Sequence, residues 1–425
     1  MQAVTDQSLV TFDHGNIDLI GLASSISKDV EALLADGQID RSSVVTKCLQ
    51  LSQALETPRE VMLRHCWAQT SSLAAINYGI ATGLWTLMAK NGAQDQRATN
   101  LARSLNVDEI LLQRIMRHLG AMGLVIETAE GTYKPTKYSL SLSHPYISSG
   151  YVAVAASCSA ASMKFHKYSR DRNWQNPTDG EDTPLMHAYK TDMDLFAWLQ
   201  SEGCGTQFND LMICYQMGRK SWMSADIYPV QEHLINGAID DSEAPFLVDI
   251  GGNIGHNLVT FKTCYPHFPG KLILQDLPSV IQQIKDLDHS IIRMEHNFNN
   301  EQPVIGARAY YMGSILHDWP ELVCVRILTN IKKAMIRGYS KILVHESIMP
   351  ESKAPWEITA LDMMMLTLLS SQERTLTAWH HLIEEQAGLK IVKVWSWENT
   401  VESLIECELP PEQLPRSRNV ALAWV

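Results

Sequence analysis

Apolar residues follow two different periods along this chain, and the change of period divides it. Between residues 58 and 150 they recur at helical spacing. Leu111, Leu112, Ile115, Met116 and Leu119 mark one face of a helix that starts at Asp108 and that Gly123 can stop. Ala81–Lys90 and Ala98–Leu105 predict two helices before it. Leu124–Glu127 and Thr132–Lys134 bracket Glu130-Gly131 and read as a hairpin. Helices followed by a hairpin define a winged-helix-like unit over 58–150. Residues 1–57 read as a helical extension, with apolar positions at helical spacing from Ile20 to Leu34.

Residues 151–244 keep the helical period. It breaks at Arg170–Asp182, where Pro177, Gly180 and several charges predict an exposed loop. From residue 245 the pattern becomes short apolar runs. Phe246–Ile250, Lys271–Leu274, Ile291–Met294, Ala307–Met312, Lys341–Val344, Leu389–Trp395 and Val401–Leu409 predict strands, and Glu321–Ile336 predicts a helix. Strands alternating with helices predict a mostly parallel, doubly wound α/β sheet. Only Trp397-Glu398-Asn399-Thr400 separates the last two strands, which predicts a C-terminal antiparallel hairpin.

At 425 residues, two or three domains are expected. No apolar run approaches the roughly 18 residues of a membrane span. Met1–Asn16 lacks a basic region followed by an apolar core, so no secretory signal and a cytoplasmic location are expected. The net charge of -12 argues against a nucleic-acid partner. The last helix of the winged-helix-like unit carries only Arg114, Arg117 and His118, against Asp108 and Glu109. The eight cysteines are scattered without a C-x-x-C pair, which suits reduced thiols and gives no metal-ligand spacing.

The candidate chemistry lies at the strand ends, where open α/β sheets bind their ligands. After the first strand comes Asp249-Ile250-Gly251-Gly252-Asn253-Ile254-Gly255. Gly252 and Gly255 match part of a dinucleotide fingerprint, but Ile250 stands where its first glycine belongs. Asp249 repels a pyrophosphate and suits a cationic ligand, which favours S-adenosylmethionine over NAD. Asp276 ends the next strand, where an acid can accept ribose hydroxyls or cap a helix. Asn297 and Phe298 follow the third strand and can bond and stack on an adenine, or form a polar turn over a core aromatic. His317-Asp318-Trp319-Pro320 follows the fourth strand and offers a general base, with Asp318 placed to cap the next helix. Glu346 closes the fifth strand, and Glu373 lies beyond it. Met363, Met364 and Met365 suit either core or a pliable wall for a flat substrate.

Together these residues resemble the S-adenosylmethionine-dependent O-methyltransferases of the plant caffeate and flavonoid type, and especially their fungal relatives. The likeness covers roughly residues 60–425 and implies a Rossmann-like class I methyltransferase sheet over 151–425. It makes 151–244 the substrate-binding segment and 58–150 the dimerisation domain of a homodimer. By the same resemblance His317 takes a proton from a small phenolic or polyketide-derived hydroxyl, and Glu346 and Glu373 orient it. Asp249, Gly251, Gly252, Asp276, Leu277, Asn297, Phe298 and Gly313 fall on the cofactor side. Three positions depart from the family pattern. Asn297 replaces an aspartate yet keeps an acceptor. Gly313 replaces a lysine or arginine, which is expected to remove a cofactor contact and open space, so that Gly313→Arg tightens binding. Leu211 stands where fungal relatives often have histidine. The resemblance also extends to members that bind the cofactor but catalyse dehydration or pericyclic ring closure.

Overall fold

The computed structural model describes residues 7–12, 15, 17–36, 40–397 and 400–412. Met1–Asp6, Asp13, His14 and Asn16 of the leading segment, and Glu398 and Asn399 of the last connection, lie outside the described residues. The chain divides into two compact units, Met1–Val152 and Ala153–Val425.

The first unit packs helices against a small sheet. The Asp108 side chain accepts the Leu111 N–H at 2.7 Å and so starts the helix Glu109–Ala121, which buries Leu112, Met116 and Leu119. The single helix expected over Ala81–Lys90 is instead two, Thr70–Thr82 and Leu84–Asn91, because Gly83 adopts a left-handed φ of +77 between them. Three short strands follow: β1 (Gln96–Arg97), β2 (Val125–Ala129) and β3 (Thr132–Pro135). β3 lies antiparallel between the other two. β1 has only two residues and left no period to read.

The second unit is built on a sheet of β4 (Pro245–Ile250), β5 (Lys271–Asp276), β6 (Ile291–Glu295), β7 (Ala309–Gly313), β8 (Lys341–Met349), β9 (Arg374–Thr375), β10 (Lys390–Ser396) and β11 (Glu402–Glu408). The order is β10-β11-β8-β7-β4-β5-β6, with β9 paired to the far end of β8. β6, β5, β4, β7 and β8 are parallel, and β11 and β10 are antiparallel, as the pattern predicted. From β4 the chain winds to β5 and β6 on one side, then returns to β7 and β8 on the other. The switch point therefore falls between the carboxyl ends of β4 and β7.

Both faces of the sheet are covered, which explains the continuous apolar runs. On one face Val248, Tyr310, Ile342 and Val344 pack against the helix Glu321–Ala334 and Trp379. That helix buries Cys324, Ile327, Leu328 and Ile331 at helical spacing, with Lys332 and Lys333 in its last turn. On the other face Leu247, Ala309, Tyr311 and Leu343 pack under Trp222 and Tyr228. The loop between the helices Ser159–Asp171 and Pro184–Tyr189 lies where expected, but Pro177 in it is buried. β8 runs three residues past Glu346, so that acid lies inside the strand and does not close it.

Candidate functional site

β4 ends at Ile250, and the chain turns left-handed. Gly251 has a φ of +68, and a Cβ on it would lie 2.5 Å from Ile315 Cδ1. A Cβ on Gly252 would meet Asp249 Cγ and Leu274 Cδ1, each at 2.5 Å. Glycine is what lets the backbone pass so close. The N–H groups of Gly251 and Gly252 donate to the Gln275 carbonyl at 2.8 and 3.2 Å, tying the turn to β5. Asp276 accepts the Asn253 N–H at 2.8 Å and the Leu277 N–H at 2.7 Å. Burial raises the pKa of Asp276 against those two bonds. Leu277 is exposed at the start of the short helix Pro278–Ile281.

Asp249 lies beneath the turn and is 1% exposed. Neither of its carboxylate oxygens has a hydrogen-bond partner. Burial, and then the nearby Asp276, push its pKa from an ordinary 3.8 to about 8. A buried acid without a partner is costly, and a cationic group in the crevice would relieve that cost.

β7 delivers the second half of the site. Leu316–Asp318 forms one 3-10 turn, and His317 in it is 8% exposed. His317 Nδ1 lies 2.7 Å from Glu373 Oε1 and 3.9 Å from Glu346 Oε2, while Nε2 lies 3.5 Å from Asp318 Oδ1. Glu346 Oε1 accepts the N–H groups of Ile315 and Leu316 at 3.0 and 2.7 Å. Burial alone lowers the imidazole pKa, but Glu346, Asp318 and Glu373 outweigh it and raise the value from 6.5 to about 10. Burial lifts Asp318 to about 7 against the pull of His317. Asp318 does not cap the following helix: Pro320 holds that position, and Asp318 stays beside the imidazole.

The remaining expected residues are placed less directly. Asn297 is exposed, and its side-chain oxygen accepts the Asn299 N–H at 3.0 Å. The half-buried Phe298 ring meets Trp319 edge to face at 5.7 Å. Gly313 ends β7, but it opens no space. A Cβ there would fall 2.6 Å from the Tyr311 hydroxyl, so the tyrosine two residues earlier already fills that volume. The expectation that the glycine opens space at this position is therefore corrected. Leu211 is half-buried on the helix Gly205–Gln216. In the helix Trp356–Leu369, Met365 is buried and Met363 exposed.

Several residues at this centre left no signal in the sequence. Arg374 is fully buried and donates to the carbonyls of Leu316 and Trp319 at 2.8 and 3.1 Å. The Ser371 hydroxyl donates to the His317 and Trp319 carbonyls. Asp362 accepts the Glu373 N–H at 2.8 Å. Asn253 Nδ2 donates to Asn209 Oδ1 at 3.3 Å, and His256 Nε2 lies 3.2 Å from Gln216 Oε1, which joins the glycine turn to the helix Gly205–Gln216. The charge run Gln372-Glu373-Arg374 looks like a surface loop when read alone.

The doubly wound sheet, the glycine turn at its switch point and a histidine ringed by acids define a nucleotide-cofactor enzyme with its own acid/base group. Residues 225–390 match the family described as the O-methyltransferase domain. The chain is 32% identical over 371 residues to O-methyltransferase mfmE of Annulohypoxylon moriforme, covering 87% of this chain and 91% of that one. A solved structure described as a pericyclic reaction enzyme is 27% identical with a TM-score of 0.81, covering 92% of this chain and all of that one. LepI in complex with SAM is 27% identical with a TM-score of 0.80, covering 93% and 100%. The chain belongs to the O-methyltransferase family. It is an enzyme of that family, its cofactor is S-adenosylmethionine, and its substrate is a small molecule. Among the described residues, no helix is long and apolar enough to cross a membrane, and no group of three or more His, Cys, Asp or Glu side chains is arranged to hold a metal ion.

Proposed function

We propose that this enzyme moves the methyl group of S-adenosylmethionine onto a hydroxyl of a small aromatic or polyketide-type secondary metabolite, with His317 as general base. The observation that carries this reading is the 2.7 Å contact between His317 Nδ1 and Glu373, which assigns the proton-accepting role to Nε2, the nitrogen beside Asp318 at 3.5 Å. Bound cofactor supplies an electrophilic methyl group on a sulfonium. His317 Nε2 takes the proton of the acceptor hydroxyl, which readies that oxygen for the methyl group that bound cofactor would supply. Glu373 and Glu346 stabilise the imidazolium that results. Positioning supplies much of the remaining acceleration.

Gly251 and Gly252 bring the backbone to the cofactor, and Asp249 faces its positive charge. Asp276 and Leu277 would hold its ribose end, and Asn297 and Phe298 would take the adenine. Gly313 borders the crevice. The partnerless carboxylate of Asp249 supports this fit. Incubation with methyl-labelled cofactor and a panel of phenols tests the reading. Label in an ether product supports it; no transfer from active, cofactor-binding protein overturns it.

A second reading is ring closure or dehydration without methyl transfer. It is favoured by the likeness to the pericyclic reaction enzyme over the whole of that chain. Deleting the protein from its host separates the two. A precursor lighter by one methylene unit means methyl transfer. A precursor of equal mass means ring closure, and one heavier by one water means dehydration.

We also propose a homodimer formed through the dimerisation domain 58–150 with its extension 1–57, acting in the cytoplasm. Ile20, Trp67 and Ile110 in this unit are 82%, 68% and 70% exposed, which suits a covered face. Trp67→Glu is expected to shift the mass in light scattering from dimer to monomer; a monomeric parent chain sinks the idea.

A further inference from the structure

The two faces of the sheet carry different polar sets at the same edge. Glu346, with the base, belongs to the face of Ile342 and Val344. Its neighbour His345 points to the opposite face and joins a buried chain that the proposed methyl transfer does not use. Tyr311 Oη lies 2.9 Å from His345 Nδ1, and His345 Nε2 faces Glu402 Oε2 at 3.7 Å. Arg219 pairs with the other oxygen of Glu402 and with Glu357.

Position and chemistry bring this chain to the crevice. Tyr311 and Asp249 are register partners on β7 and β4, so their side chains share a face. Gly313 and His345 are register partners on β7 and β8. The Tyr311 ring is 2% exposed and stacks on Trp222 at 5.1 Å and 20°. Its hydroxyl reaches 2.6 Å from the point a Gly313 Cβ would occupy, level with the strand end. The ring is thus fixed by packing, with its hydroxyl beneath Gly313 at the end of β7.

Glu402, ionised beside Arg219, only accepts, so the electrostatics place the His345 proton on Nε2. Nδ1 is then an acceptor, and the Tyr311 hydroxyl donates to it. Burial, then Asp249 and Glu402, hold the phenol well above its ordinary pKa, so it keeps that proton to give. The Trp222 indole N–H lies toward its oxygen, on the sheet face that Tyr311 shares with Asp249, whose carboxylate has no hydrogen-bond partner.

We infer that Tyr311, oriented by His345 and Glu402, is a further cofactor-binding residue whose hydroxyl oxygen offers lone pairs beside Asp249 to the positive charge of S-adenosylmethionine. This rests on the crevice between β4 and β7 being the cofactor site. His345 and Glu402 are positioning residues, since they act through the phenol.

The test is calorimetric binding of S-adenosylmethionine and S-adenosylhomocysteine to the parent chain, Tyr311→Phe and Glu402→Gln, with a melting curve for each. The sulfonium carries one charge more than the thioether, so a loss at this oxygen weighs more on the charged ligand. Tyr311→Phe is expected to weaken S-adenosylmethionine by about 3- to 10-fold, the worth of one hydrogen bond, and S-adenosylhomocysteine by less. Glu402→Gln keeps the volume and is expected to shift the ratio in the same direction by a smaller factor. It carries the test alone if the phenylalanine variant does not fold. Equal losses for both ligands, or no loss with a lowered melting temperature, would make the chain a packing device and overturn the inference. Asp249→Asn serves as the control: if it leaves both affinities unchanged, the crevice assignment itself fails.

Discussion

The guanidinium of Arg374 donates to the carbonyl of Leu316 at 2.8 Å, immediately before the candidate base. The turn that carries His317 is therefore held from outside through its backbone. Arg374 and Ser371 take its carbonyls, and Glu346 takes its N–H groups. The side chain of His317 is left free for chemistry and for Glu373.

Arg374→Ala removes those bonds and leaves the Leu316 and Trp319 carbonyls to weaker neutral donors, the Cys324 thiol and the Ser371 hydroxyl. Stability is expected to fall by about 3 kcal/mol, since a bond to a charged group is worth roughly 1.5–3 kcal/mol. The turnover number should drop by at least tenfold while cofactor affinity stays within about twofold, because the glycine turn is untouched. Denaturant unfolding and calorimetry check both. A large loss of affinity with turnover intact would mean that Arg374 serves the cofactor and not the turn.

His317→Ala is expected to lower turnover by about 10²- to 10⁴-fold, the usual share of a general base. Cofactor affinity should hold. Unchanged turnover sinks the assignment.

Three acids raise the His317 pKa to about 10, so the imidazole of the free chain is charged at neutral pH. A base must be uncharged, so kcat/KM should climb with pH on its acid side, with a midpoint between about 7 and 10. Positive charge from the cofactor lowers that midpoint from the upper figure. Glu373→Gln removes one raising charge and should move the midpoint down. A flat profile from pH 6 to 9 would contradict the role. The same shift bears on stability. It contributes fully below pH 6.5, the ordinary value, and is lost as pH rises through about 10.

Asp249 has the opposite consequence. Its folded value of about 8 exceeds the ordinary 3.8, so folding favours the protonated acid. Stability attributable to this group falls as pH rises from about 4 to about 8. Asp249→Asn should therefore raise the melting temperature more at pH 8 than at pH 5, and weaken cofactor binding. An equal gain at both pH values would show that the carboxylate is not buried as described.

Gly313→Ala places a Cβ 2.6 Å from the Tyr311 hydroxyl. It is expected to destabilise the protein by about 1–3 kcal/mol through overpacking. Combining it with Tyr311→Phe should return part of that loss. Two purely additive penalties would mean the clash lies elsewhere.

How much of this was legible in the sequence depends on the range of the interaction. β4, β5, β7 and β8 announced themselves because strands covered on both faces need unbroken apolar runs, such as Phe246-Leu247-Val248. Gly251, Asp276 and His317 were visible because each sits at a strand end, where loops carry ligands. Glu373 was only a distant acid until β9 paired with β8 and drew it to His317. Arg374 was not singled out, since nothing local says that a guanidinium will be enclosed. Tyr311 lay unremarked within the predicted strand Ala307–Met312, because its polar tip matters only beside His345. Asp318 followed a sound capping rule and lost to Pro320, which took the position next to the helix.

The alternation along β8 has a consequence for how such a chain can change. His345 and Glu346 are consecutive, yet they serve opposite faces. A substitution at Glu346 strikes the His317 side directly and reaches the Tyr311 side only through its charge. One strand thus lets the two halves of the chemistry drift independently. A lineage can surrender methyl donation by altering a single face while still retaining the charged nucleoside as a fixed ornament of its pocket.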